Sequence, residues 1–169
     1  NIVRLTNESR TALALNPLQI SEKLSSAARE KAKEMLQKEY FSHTSPDGKT
    51  LSDFLQTTRY RYLYAGENLA MHFASSEDVL DGWLTSPKHK ANIIDERYTD
   101  IGIGIARGNF QNIPTTVIVQ MFGRPLHSAS LNSQEQTIVR TVSLKEKPNT
   151  LVMGISITAE KNVQGLVSE

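Results

Sequence analysis

Ile101-Gly102-Ile103-Gly104-Ile105-Ala106 is the stretch that decides the fold class. Alternation with a period of two predicts a β-strand. One face of this strand carries isoleucines, and the other carries almost no side chain. A face of glycine and alanine lets a helix approach the sheet closely. These glycines, with Gly108, do not form a nucleotide loop: they alternate within a strand, and no Gly-Lys-Ser/Thr follows. A second apolar strand is predicted from Thr115 to Phe122, joined to the first by a Gly108–Pro114 loop as a hairpin.

The chain before this stretch reads as helices and turns. Residues 2–14 predict a helix with Leu5, Thr6, Ser9 and Leu13 on one side, stopped by Asn16-Pro17. Residues 20–39 are the clearest helix, with Ser21 as N-cap and Leu24, Ala27, Ala28, Ala32, Met35 and Leu36 at helical spacing between charged positions. A turn-forming run, His43-Thr44-Ser45-Pro46-Asp47-Gly48, follows. A short helix from about Thr50 to Thr58 turns Leu51, Phe54 and Leu55 inward. An aromatic loop with Tyr60, Tyr62 and Tyr64 then leads into a Gly66-Glu67-Asn68 turn. Ser75 and Asp78 form a capping-box variant, opening a helix that carries Val79, Leu80, Leu84 and a core Trp83. Ser86 as N-cap and Pro87 at the first helical position restart the chain, with His89 in the first turn of a helix ending near Ile94.

Helices followed by strands predict an α+β domain over residues 1–126. Residues 127–135 are rich in serine and asparagine and read as a linker. Residues 136–169 read as a β-rich extension, a docked hairpin or a partial module, with strands at 136–144 and 150–158. A length of 169 residues suits one well-buried domain with a small appendage. The absence of cysteine excludes a disulfide scaffold, a thiolate nucleophile and cysteine-ligated metal centres. Nineteen basic residues against eighteen acidic ones leave +1, which argues against nucleic acid as a partner. No apolar run is long enough to span a bilayer. The first residue is Asn1 rather than Met, so a removed signal peptide or a membrane anchor outside these residues is allowed for.

The chemistry available rests on four histidines and the carboxylates. His43 follows a long helix, His89 starts a short one, and Glu67 lies between them in sequence. Turn and cap positions are where a scaffold commonly carries functional groups. Two imidazoles and a carboxylate suffice for one divalent metal with an open coordination position. Their spacing matches no short metal motif, and a plain capping or loop-holding role is the competing reading. Ser42, Ser45 and Ser86 lie near histidines, but none sits in a Gly-x-Ser-x-Gly elbow. The tyrosines, Tyr64 among them, are placed to flank Glu67.

These segments resemble the cysteine-rich secretory protein, antigen 5 and pathogenesis-related 1 superfamily, the CAP or SCP-like domains, in their cysteine-free bacterial branch. The resemblance rests on Tyr40-Phe41-Ser42-His43-Thr44-Ser45-Pro46-Asp47-Gly48 and Ala65-Gly66-Glu67-Asn68-Leu69-Ala70. It continues through Trp83-Leu84-Thr85-Ser86-Pro87-Lys88-His89-Lys90-Ala91-Asn92-Ile93-Ile94, Tyr98-Thr99-Asp100-Ile101-Gly102-Ile103-Gly104 and Val119-Gln120-Met121-Phe122-Gly123. It implies a three-layer α-β-α sandwich, with a further strand near Asn68–His72. It also implies a cleft in which His43, His89 and Glu67 bind a divalent metal such as zinc. Ser86 stands where many eukaryotic relatives carry a second glutamate, and Ser86, His72, Tyr64 and Asn68 are expected at the cleft or its rim. The resemblance implies a secreted or envelope-associated protein whose cleft binds a cation together with a small ligand, peptide or envelope component. Two alternatives stand beside it: a metal-assisted hydrolase with Glu67 as general base, and a lipid- or sterol-binding protein.

Overall fold

A computed structural model describes residues 1–126 and the backbone of Ile155–Ser156. The expected linker at 127–135 and most of the C-terminal β-rich extension lie outside the described residues. The described elements are α1 (Ile2–Thr11), β1 (Gln19–Ile20), α2 (Glu22–Gln37), α3 (Leu51–Thr57), β2 (Tyr62–Met71), α4 (Ser76–Thr85), α5 (Pro87–Ile93), β3 (Asp100–Phe110), β4 (Ile113–Pro125) and β5 (Ile155–Ser156). The sheet runs β1-β3-β4-β2, with β5 alongside Tyr64 and Ala65 at the β2 edge. β4 is antiparallel to both β2 and β3, whereas β1 joins β3 and β5 joins β2 in parallel.

The architecture is three layers. α2 and α3 cover one face, over Leu69, Val117, Val119 and Met121. α1, α4 and α5 cover the other, over Ala70, Ile101, Ile118 and Phe122, with Trp83 fully buried between. The Trp83 indole N–H donates to the Leu69 carbonyl at 2.9 Å, so a large apolar body is buried without orphaning its donor. Three helix starts carry caps, at Ser21 and Ser75 as the sequence predicts and at Thr50 besides. Ser21 accepts from the Leu24 amide, Thr50 and Asp53 close a capping box, and Ser75 accepts from the Asp78 amide.

The side-chain-poor face of β3 meets α2, as the alternation predicts. A Cβ built on Gly102 would collide with the Leu24–Ser25 backbone, and one on Gly104 with the carbonyl of Ala28 and the amide of Arg29. The helix backbone lies directly on the strand there, and Ala27, Ala28 and Ala32 are fully buried in the contact.

Several expectations need correction. Gly66-Glu67-Asn68 is a run of ladder positions in β2, paired with Phe122, Met121 and Gln120. Its polar residues disguise a strand because Glu67 and Asn68 find partners on opposite faces. The Gly108–Pro114 loop is mostly strand: Gly108 pairs with Thr115 and Asn109 with Pro114, and Gln111-Asn112 alone make the turn. Both have positive φ, 51° and 65°, the geometry that matches strand twist in a two-residue hairpin. In α1 the buried face is Ile2, Thr6 and Arg10, and Leu13 is exposed. Arg10 goes inside because its guanidinium donates to the carbonyls of Asn16, Ile93 and Asp95.

Gly104→Ala should destabilise the protein by about 3 kcal/mol, the upper end of overpacking costs, because helix backbone cannot move aside as a side chain can. Gly108→Ala, whose new methyl would meet only the flexible Leu36 Cδ1 at 3.3 Å, should cost far less. Urea unfolding of both variants reads the difference, and equal midpoints would refute the close approach.

Candidate functional site

The site is built around the β2 edge from both layers. On the α2 side, Glu67 Oε1 accepts from the Lys31 ammonium at 2.8 Å and lies 2.8 Å from His43 Nδ1. Glu67 and Lys31 are almost wholly buried, at 3% and 0% side-chain exposure, whereas His43 keeps 16%. A carboxylate bound to an ammonium accepts and does not donate, so His43 carries a proton on Nδ1 and Nε2 is the ring nitrogen not engaged with Glu67.

The loop that carries His43 is held by one face of α2. Lys31 donates to the His43 carbonyl at 2.6 Å, Glu34 accepts from Lys49 at 2.7 Å, and Lys38 pairs with Asp47. Positions 31, 34 and 38 recur at helical spacing, so one stripe grips the whole turn. Ser45 tightens it, its hydroxyl accepting from the Lys49 amide at 3.1 Å.

On the opposite face, α5 begins at Ser86-Pro87 and buries His89. Ser86 Oγ lies 2.8 Å from His89 Nδ1. Asn68 fixes the helix that carries His89: its amide donates to the His89 carbonyl at 3.2 Å and to Gln120 Oε1 at 3.0 Å. Asn92 donates to Asn68 Oδ1 at 2.8 Å and to the Glu67 carbonyl at 3.0 Å. Gln120 continues the chain to Thr6 at 2.9 Å. A buried amide network thus ties α1, β4, β2 and α5 together, and every member is paired.

His89 titrates near 4, well below its ordinary 6.5. Burial is the main cause, and the charges of His43 and Lys88 add to it. His89 is therefore neutral at physiological pH.

The other sequence candidates sit differently. Asn68 is fully buried and supports His89 from beneath. Tyr64 faces the α5 layer, with the Arg97 guanidinium 5.0 Å from its ring. His72 is exposed with φ +64° at the end of β2, and no hydrogen bond joins it to His43, Glu67 or His89. Tyr60 donates to Asp100 and Tyr62 to Ser52, so neither hydroxyl serves Glu67. Among the described residues no three His, Asp or Glu side chains are grouped as metal ligands. Sequence reasoning missed Lys31, Asn92 and Gln120. Lys31 had a signal: it falls on the apolar stripe with Leu24, Ala28 and Met35, where a lysine needs a buried partner.

This sequence and this fold match a known family. The cysteine-rich secretory protein family, CAP, matches over residues 3–122. The chain belongs to the CAP family. It has no cysteine, in keeping with the bacterial cysteine-free branch. It is 40% identical over 103 residues to the uncharacterised Bacillus subtilis protein YkwD, spanning 61% of this chain and 40% of that protein. An extracellular SCP-domain protein of Bacillus anthracis superposes with a TM-score of 0.66 at 32% identity, covering 73% of this chain and 39% of that one. An outer surface protein of Borrelia burgdorferi gives 0.64 at 26% identity, covering 74% of this chain and 90% of that one. The chain spans well under half the length of the curated Bacillus subtilis relatives it matches.

The depressed His89 pKa sets a pH dependence of stability in metal-free protein. Between about pH 6.5 and 4 the unfolded chain binds the proton and the folded chain does not. Stability from this group is therefore complete above pH 6.5 and falls as the pH drops through that window, by about 3 kcal/mol at most. Chemical unfolding from pH 7 to 4, with chelator present, should show a shallower decline in His89→Gln than in wild type. Parallel declines would contradict a buried neutral imidazole.

Proposed function

We propose that this CAP domain is an extracellular or envelope-associated binding domain whose cleft takes a divalent cation, such as zinc, on His43 and His89, without catalysis of its own. The observation that carries this is a symmetry between layers. Each imidazole has an oxygen 2.8 Å from its Nδ1, Glu67 Oε1 for one and Ser86 Oγ for the other. Such partners orient a metal-binding imidazole and leave its Nε2 for the ion. The low pKa of His89 adds to this, since a neutral ring has no proton to lose on binding. Glu67 acts through His43 in this reading and is not a ligand. The remaining coordination positions belong to water, or to a donor on a small ligand, peptide or envelope component.

A bound cation would supply Lewis acidity. The hydrolytic reading is less well supported, because Glu67 Oε1 already accepts from Lys31 and meets His43, which ill suits a general base. Export to the envelope is supported by the surface and extracellular proteins of similar sequence and fold.

Calorimetric zinc titration near pH 7.5 tests the site. Wild type should bind one ion, and His43→Ala and His89→Ala should each weaken binding tenfold or more while keeping their circular dichroism spectra. Wild-type affinity in both variants would defeat the proposal.

A further inference from the structure

The most unusual group in the molecule is the Lys31 ammonium. Lysine is almost never fully buried unless paired, yet Lys31 is 0% exposed in the middle of α2. It is satisfied from three sides: the Glu67 carboxylate at 2.8 Å, the His43 carbonyl at 2.6 Å and the face of Phe54, whose ring centre is 5.3 Å away. Its partner Glu67 is used unevenly. Oε1 takes both the ammonium and the His43 ring, while Oε2 is the one buried side-chain atom among the described residues with no hydrogen-bond partner.

We infer that Lys31 is the resident cation of this cleft: it occupies the carboxylate that a metal would otherwise take, and so restricts an incoming ion to the two imidazoles. This rests on the two-imidazole reading of the cleft and specifies its ligand chemistry. With Lys31 in place the carboxylate's charge is balanced internally, and a cation meets two imidazoles and no net anion. An ion on the unpartnered Oε2 of Glu67 would stand on the same carboxylate as an ammonium fixed 2.8 Å from Oε1, and like charges in a buried setting repel strongly. The cleft is thereby tuned to bind cations weakly and exchangeably, with the ligand supplying the missing anionic donor. A carboxylate or phosphate group on that ligand completes the charge balance.

Lys31→Met removes the charge and keeps the stem. If Lys31 blocks Glu67, the variant should bind zinc at least tenfold more tightly than wild type by calorimetry, and Lys31→Met/Glu67→Gln should lose that gain. If Lys31 only anchors the His43 loop, the single variant binds no better or worse than wild type, which overturns the inference. Losing the ammonium leaves a buried carboxylate unpaired, so the single variant could unfold without metal. In that event zinc should refold it, read by circular dichroism, and failure to refold in excess zinc also overturns the inference. The two proposals fail separately. Wild-type zinc binding indifferent to His43 and His89 removes the imidazole site, whereas Lys31→Met against its double variant judges the blocking role alone.

Discussion

The backbone contact between α2 and β3 is the constraint on which the rest depends. Ordinary side chains hold packed layers about 10 Å apart, as between stacked sheets. Gly102 and Gly104 remove that spacer, and the buried alanines of α2 remove it from the other side. With the helix seated this low, Lys31 comes within 2.8 Å of a carboxylate on β2, two strands away from β3 in the sheet. The same seating brings the 31, 34 and 38 stripe over the His43 loop. Packing and site chemistry are one arrangement here, because the low approach that excludes side chains also sets the reach of the ammonium.

β2 then works as a divider. Alternation sends Glu67 to the α2 face and Asn68 to the α5 face, adjacent residues serving opposite layers. Glu67 orients His43, and Asn68 supports the helix that carries His89. A shift of one residue in the β2 register would exchange these roles and break both sets of bonds. The Asn68–Asn92–Gln120–Thr6 network and the Lys31–Glu67 pair contribute little net stability, since desolvation offsets most of their attraction. What they specify is position, since each buried polar group finds its partner in one arrangement only.

Much of this was legible in the chain. The caps at Ser21 and Ser75 mark real helix starts, because a cap is a contact between residues two or three apart, whereas Ser86 stands at the cap position of α5 with its hydroxyl on the His89 ring. Leu51, Phe54, Leu55 and Trp83 are core, as their spacing implies. β2 was hidden by Gly66-Glu67-Asn68, where polar side chains mask the apolar alternation until their distant partners are known. The tight turn at Gln111-Asn112 was hidden by Gly108 and Pro114, two breakers that the hairpin accommodates as ladder positions.

The sequence by itself determined the capped helix starts at Ser21 and Ser75, the family and the side-chain-poor face of β3, since each is written in residues close together along the chain. It also supplied His43, Glu67 and His89 as candidates. Only the tertiary structure decided their roles. Glu67 is held by Lys31, a residue 36 positions earlier, and His89 rests on Asn68, 21 positions earlier. Whether a buried carboxylate acts as ligand, base or orienting acceptor depends on which charge stands beside it. That neighbour is chosen by how closely a helix lies on a sheet.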